Sequence, residues 1–440
     1  MTDARLQAPA AVRWIVQTLE DEGFETWTVG GAVRDALLRQ PSDDWDLATR
    51  ASPGEVRRLF KRTVPIGIEH GTVGILARDR VMYEITTFRK DVETDGRHAV
   101  VAFANTIEED LARRDFTVNA IAWHPLREVY CDPYSGTADL RDGILRSVGV
   151  AEERFREDYL RILRALRFAG RFEFQIADET WAAMCGLVLY LPSLSAERVR
   201  EELIKVLGGA VCPGRSLDLY GASGSLGVLY PELEEIRTAP VAADAPRTAE
   251  GITIGAWPLA LSAVKRLPRS HVDLRLAALL RPLDPAAAVA VLTRLRLSNR
   301  RTDEVGHLAV ARPLPAASSS EADVRRWLSV SGPERLNSIA RLELAASRGA
   351  WDAGVPADCQ AVVSAWRRAR TVRRASPPLS VGDLAIDGRG LVRLGLRPGP
   401  QFGEILETLL EWVLEDPNRN EVPSLEGRVR ELTEVAREHD

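Results

Sequence analysis

"VGGAVRDALLRQPSDDWDLATR", residues 29–50, sets a glycine pair ahead of an apolar, helix-like run and then places two aspartates two residues apart. The residues leading into it, "FETWTV" (24–29), have the composition of a strand, and "DDWDLATR" alternates like a second one. Strand, Gly-Gly turn, helix and strand in this order predict the centre of a small α/β domain. On a strand, side chains at i and i+2 share a face, so Asp44 and Asp46 would stand side by side. Two such carboxylates repel unless a cation lies between them, and Mg²⁺ takes oxygen ligands while leaving room for water and substrate phosphates. Gly30 and Gly31 would let backbone N–H groups approach a phosphate, with Arg34 one turn into the helix to add a charge-assisted bond. Each feature also has a plainer explanation: glycines that only make a turn, and an acidic turn that is only solvated.

Around this stretch the chain has 440 residues and 45% hydrophobic content, which predicts two to four domains with real cores. A formal net charge of −5 argues against a protein that coats nucleic acid through overall charge, so any RNA contact has to be local. The four cysteines, Cys131, Cys185, Cys212 and Cys359, are far apart and form no CxxC, which argues against a disulfide framework or a zinc knuckle. No run of about 18 apolar residues is present, and the opening residues do not resemble a signal sequence. A cytoplasmic protein is expected, with no membrane association and no protein partner implied.

Upstream, residues 8–22 repeat Val12, Ile15, Val16 and Leu19 at helical spacing, and downstream a helix is expected over 53–61. "GTVGILA" and "VMYEITTF" then predict strands of a small mixed sheet that runs to about residue 145. Glu84 is the acid in the better of these strands, placed to be a third carboxylate or a cross-strand charge partner. Residues 90–101 look like a polar, mobile loop suited to closing over a substrate. "EEDLARRDFTVNAIAW" (108–123) puts Arg114 and Asp115 among apolar residues, either to hold a ribose or phosphate or to form an internal salt bridge to the next domain.

From about residue 150 the pattern turns helical, with linker-like stretches at 238–252 and 312–323. In "FREDYLRILRALRF" (155–168), Tyr159, Ile162, Leu163 and Leu166 make a core stripe, and Asp158, Arg161, Arg164 and Arg167 fall outside it. An i,i+3 ion pair between Asp158 and Arg161 is the ordinary expectation. The alternative is chemical: an Asp acceptor beside an Arg donor matches the amino donor and ring-nitrogen acceptor of cytosine and adenine, and mismatches uracil and guanine.

"GGAVRD…DDWDLAT", "PIGIEHGTVGI" with "EITTFR", "RRDFTVNA", "DPYSGTADLRDGILRSVG" and "EDYLRILRALRF", in this order, resemble the class II tRNA nucleotidyltransferases, the CCA-adding enzymes of the bacterial poly(A) polymerase group. "SAERVREELIKVL" resembles the next motif of that family, so the match is strong over about 25–210. The resemblance implies an α/β nucleotidyltransferase head, a small mixed sheet with helices, over 1–145. An all-α remainder would follow, with a neck at 146–210, a body at 211–330 and a tail at 331–440. It implies that Asp44 and Asp46 bind Mg²⁺ with Glu84 completing the acidic set, that Gly30, Gly31 and Arg34 hold the triphosphate, and that Arg114 and Asp115 lie by the ribose. Asp158 and Arg161 would read the base of CTP or ATP, helped by Arg164 and Arg167, and the acceptor would be the 3′ end of tRNA.

Arg281-Pro282 stands where a metal-binding His-Asp pair occurs in many relatives, so no phosphohydrolase activity is expected. Arg367, Arg370 and Arg374 fall at i, i+3 and i+7, a stripe for tRNA phosphates or a solvated helix face. A poly(A) polymerase is the nearest rival, and an enzyme adding only CC or only A is a variant of the main reading, because 90–101 lacks the proline usual after His98.

Overall fold

The computed structural model describes residues 6–41, 44–67, 71–94, 99–209 and 212–437. They form two compact units, 1–235 and 236–440.

The first unit opens with α1 (Ala10–Asp21), β1 (Thr26–Val29), α2 (Gly31–Leu37), β2 (Asp46–Thr49) and α3 (Pro53–Leu59). β3 (Thr63–Gly67), β4 (Thr72–Leu76), β5 (Met82–Thr87), β6 (Arg89–Thr94) and β7 (Ala99–Phe103) follow, then α4 (Ile107–Ala112), β8 (Ala122–His124), β9 (Val129–Cys131) and α5 (Gly136–Asp142). Seven strands make one sheet in the order β3-β4-β5-β2-β1-β8-β9, in which only β2 and β5 run parallel. The stripe expected from the sequence buries Val12, Ile15, Val16 and Leu19 of α1 completely. α3 starts where Ser52 and Glu55 exchange capping bonds ahead of Pro53. On the opposite side of the sheet, Trp27, Val29 and Ala48 pack against Ile107 and Leu111 of α4.

Three expectations need correction. The second strand starts at Asp46, so Asp44 and Trp45 precede it. The alternation still holds there, because Trp45 is buried while Asp44 is exposed. The stretch expected to be a loop at 90–101 is a hairpin: β6 and β7 pair from Arg89 with Phe103 to Thr94 with Ala99, and 95–98 lie outside the described residues. The helix expected across 155–168 is broken. α6 (Ala151–Glu157) ends, Asp158 is extended at φ −157° and ψ 104°, and α7 (Leu160–Phe172) begins beyond it. Asp158 Oδ1 accepts the Leu160 N–H at 3.0 Å, a local bond that competes with helix continuation.

Ile162, Leu163 and Leu166 are fully buried, as the stripe predicts, while Tyr159 stacks on Tyr190 at 5.2 Å. α8 (Asp178–Leu187), α9 (Ala196–Gly209) and α10 (Gly214–Ala222) complete the helical part around α7. α7 meets α10 closely because Gly170 carries no Cβ, which would lie 2.0 Å from Ser216 Oγ.

The second unit is helical among its described residues. Helices Ala256–Arg266 and Leu336–Asp352 touch at Gly349, where a Cβ would lie 2.7 Å from the Ala263 nitrogen. Leu384, Leu391, Leu409, Val413 and Leu425 form a core toward the end of the chain. Arg281 lies 3.6 Å from Glu343. Among the described residues no helix is long and apolar enough to cross a membrane.

Candidate active site

The carboxylates converge through strand register. Leu47 pairs with Ile85 across the parallel β2/β5 ladder, which sets Asp46 beside Glu84, one strand away. Burial first, and then the negative charge of Asp44, push the Asp46 carboxyl up to about 6; Glu84 adds to this and Arg114 opposes it. Three acids thus act on one another here, and the Arg114 charge offsets their repulsion only in part. Among the described residues no group of three or more Asp, Glu, His or Cys side chains makes a metal shell by itself. Two carboxylates with the remaining positions left to water and phosphate oxygens is the arrangement that suits a hard divalent cation.

The turn before α2 is shaped for close approach. Gly30 has φ +74°, a conformation that favours glycine, and a Cβ there would lie 3.0 Å from the Arg114 guanidinium and 3.8 Å from Asp46 Oδ2. Gly31 is less constrained, since its nearest neighbour would be Arg34 at 3.6 Å. These groups line a cleft of about 650 Å³ that also receives Glu84, Asp115, Asp158 and arginines 34, 89, 113, 114, 161, 164, 167, 171 and 198. Nine guanidinium groups against five carboxylates at one cleft give a local positive field in a chain whose net charge is −5.

Many of those arginines are already engaged. Asp115 accepts from Arg164 Nε at 2.7 Å and from Asn119 Nδ2 at 3.0 Å. Burial raises its carboxyl, but the Arg164 charge and these hydrogen bonds outweigh it and bring it down to about 2. Asn119 Oδ1 in turn accepts from Arg34, Arg34 pairs with Asp35 at 2.6 Å, and Asp35 lies 3.5 Å from Arg171. The network leaves α7 at Arg164 and returns to it at Arg171. Arg34 also lies over the rings of Phe168 and Phe172, at 5.1 and 4.7 Å. Arg34 is therefore a buried tie between the turn and α7 as well as a lining residue, and burial lowers its pKa. Arg114 reaches Asp110 at 3.2 Å and the Asn119 carbonyl at 3.3 Å, and its buried Nε has no hydrogen-bond acceptor among the described residues.

Asp158 and Arg161 both line the cleft, and each also has a partner elsewhere. Asp158 Oδ2 accepts from Arg198 of α9 at 2.7 Å, whereas Arg161 binds Glu157 and the carbonyl oxygens of Arg154 and Arg113. Asp158 itself lies between the two helices, as the extended residue after α6. Arg167 is buried against Glu202 at 2.6 Å, a structural pair at the back of the cleft. Sequence reading singled out neither Asp110 nor Arg198. Arg198 lies in the "SAERVREELIKVL" stretch, yet nothing local in that stretch shows a partner forty residues earlier. Arg367, Arg370 and Arg374 lie in the other unit on the helix Cys359–Arg374, all exposed, with Arg370 5.1 Å over the Trp366 ring.

Residues 26–146 match the family model described as the poly A polymerase head domain, and 173–236 match a probable RNA- and SrmB-binding site of polymerase A. The chain is 35% identical over 417 residues to the CCA-adding enzyme of Lactiplantibacillus plantarum, covering 93% of each chain. It is 33% identical to the CCA-adding enzyme of Geobacillus stearothermophilus over 92% of this chain and 93% of that one. The crystal structure of the Bacillus stearothermophilus CCA-adding enzyme in complex with CTP superimposes with a TM-score of 0.74 at 30% identity over 98% of both chains. Sequence identity at this level along nearly the whole chain, together with the same fold, means that the chain belongs to the family of CCA-adding enzymes.

Proposed function

We propose that the protein adds C and A nucleotides to the 3′ end of tRNA from CTP and ATP without a template, releasing pyrophosphate. The observation that carries this reading is the junction of two sites in one cleft: Asp46 and Glu84, with the Asp44 charge acting on Asp46, and an acceptor and a donor at Asp158 and Arg161. The first suits phosphoryl chemistry and the second suits cytosine and adenine.

Asp44 and Asp46 would hold divalent cations, Mg²⁺ by the choice of oxygen ligands, and Glu84 adds negative charge beside them. Bound there, such ions lower the pKa of an attacking hydroxyl and neutralise charge on the leaving pyrophosphate. The 3′-oxygen of the RNA forms a bond to the α-phosphorus as the bond from that phosphorus to the pyrophosphate oxygen breaks, and the hydroxyl proton passes to solvent. The residues of this chain mainly position and screen. Gly30 and Gly31 bring backbone N–H groups to the phosphates, Arg114 adds positive charge at Gly30 and with Asp115 would lie by the ribose, and Arg164, oriented by Asp115, would help to hold the base. Asp158, held by Arg198, accepts the amino group of cytosine or adenine while Arg161 donates to the ring nitrogen. Residues 1–145 and 146–210 act as head and neck in this reading, with 211–330 and 331–440 as body and tail and with Arg367, Arg370 and Arg374 as candidate tRNA contacts.

The test is incubation with Mg²⁺, single labelled nucleotides and tRNAs lacking CCA, lacking only the final A, or complete. C, C and A added in order and then arrest is the expected result. Addition limited to CC, addition of A alone, or long A tails would each replace this reading.

A further inference from the structure

Asp158 and Tyr159, the two residues at the break between α6 and α7, are both held by one segment of chain. A short 3₁₀ helix, Val188–Ser193, follows α8 and leads through Ser195 into α9. Its Tyr190 ring lies on the ring of Tyr159, with centroids 5.2 Å apart and planes 8° from parallel, the offset stack that aromatic pairs favour. Farther along the same segment, Arg198 of α9 donates to Asp158 Oδ2 at 2.7 Å. The core does not depend on the stack. Val188, Leu191 and Leu194 are buried and anchor the segment, whereas Tyr190 is 49% exposed and Leu189 beside it 76%. A ring pair formed at the surface, on the residue next to a base-reading carboxylate, points to a task other than filling the interior.

We propose that Tyr190 is a positioning residue for base selection, acting through Tyr159 on the junction from which Asp158 presents its carboxylate; the inference rests on the base-reading assignment above. Asp158 is extended between two helices, so helix geometry does not set the direction of its side chain. Its Oδ1 bond to the Leu160 N–H is local and travels with the junction. Its Oδ2 bond to Arg198 comes from outside, but one bond to the end of a long, rotatable side chain leaves the junction free to swing about that point. The ring stack is a second outside contact, on the adjacent residue, and two contacts to one anchored segment remove the swing. What this protects is discrimination between pyrimidines. Cytosine offers an amino donor where uracil offers a carbonyl oxygen, so a carboxylate fixed in place accepts from the first and repels the second. A carboxylate that drifts by about 1 Å loses much of that contrast, while the charge it adds to the cleft stays the same. Loss of the stack therefore relaxes the choice of base more than it slows transfer.

The test compares Tyr190→Ala, Tyr190→Phe and, as a surface control in the same 3₁₀ helix, Leu189→Ala. Rates of addition to tRNA lacking CCA are measured with CTP and with UTP over a range of tRNA concentrations, beside melting temperature. The expected result for Tyr190→Ala is a fall of about 5-fold in the ratio of kcat/KM for CTP to that for UTP, with the KM for tRNA unchanged. Tyr190→Phe keeps the stack and should restore the ratio, and Leu189→Ala should leave it at the wild-type value. An unchanged ratio in Tyr190→Ala overturns the proposal, as does the same fall in Leu189→Ala or an equal loss of kcat/KM for both nucleotides, the mark of a structural brace. Tyr190→Phe behaving like Tyr190→Ala assigns the effect to the hydroxyl and overturns it too. A raised KM for tRNA with the ratio intact makes Tyr190 an RNA contact and likewise overturns it. If Tyr190→Ala melts below assay temperature, Tyr190→Leu, which keeps apolar bulk without a ring face, carries the same comparison. Wild-type protein that uses UTP as well as CTP refutes base reading itself, before any variant is compared.

Discussion

Asp115, three residues beyond the short helix α4, and Arg164, in the middle of α7, meet at 2.7 Å and tie the segment that follows α4 to the helix that starts just after Asp158. The pair is embedded: Asp115 is 8% exposed and also receives the Asn119 amide, which in turn holds Arg34. Misplacement of α7 by about 1 Å would move Arg161 relative to Asp46, and the proposed reaction would need both in place at once.

The acid limb of the stability curve should show this pair. The folded-state value of Asp115, about 2, lies below its ordinary value of 3.8, so its contribution is complete above about pH 4 and is lost as pH falls through about 2. Across that window the wild type should lose about 2 kcal/mol that Asp115→Asn does not lose. Urea unfolding at a series of pH values checks it; parallel curves for the two proteins would remove the ion pair from the account.

Arg198→Met should leave the fold intact and loosen base selection. Asp158 would keep its bond to the Leu160 N–H and lose the 2.7 Å bond to the guanidinium. Loss of a charge-assisted bond of this kind corresponds to about 10-fold or more in kcat/KM for CTP and ATP. The ratio of CTP to UTP use should fall with it, which a purely structural role would not produce.

Asp46→Asn should separate activity from stability. The carboxyl is held high by burial and by the Asp44 and Glu84 charges, so removing it relieves repulsion. Nucleotide incorporation should drop by about 10³-fold or more. In the presence of a chelator the melting temperature should rise, by about 3 °C. Calorimetry showing a lower melting temperature would contradict the crowding inferred here.

Gly170→Ala tests the seam between α7 and α10. The added Cβ would lie 2.0 Å from Ser216 Oγ and 2.6 Å from the Ser216 nitrogen, so backbone has to move. A cost of about 2–3 kcal/mol in unfolding free energy is expected. Adding Ser216→Ala should restore little, because the nitrogen stays where it is.

Much of the catalytic turn was legible because it is local. The strand, the Gly30 turn, the helix after it and the spacing of Asp44 from Asp46 are all set within about two dozen residues, where periodicity and backbone preference act directly. Ile162, Leu163 and Leu166 were legible for the same reason. The hairpin over Arg89–Phe103 was not, because its first strand, Arg89–Thr94, is mainly polar and its order comes from pairing with Ala99–Phe103. The helix break at Asp158 was missed as well, since the residue that breaks it also fits the helical pattern on either side.

The sequence by itself determined the composition of the site: two aspartates at a strand start, a glycine that can take φ +74°, and an Asp and an Arg three residues apart. Tertiary structure decided their partners. Asp46 stands by Glu84 through strand register, Asp158 is held by Arg198 forty residues later, and Arg34 is drawn under α7 between Asn119 and two phenylalanine rings. The physical reason is that side-chain type and periodicity act over a turn or two of chain. Ion pairs and hydrogen bonds act over a few ångströms of space, and only the folded chain specifies which residues share that space.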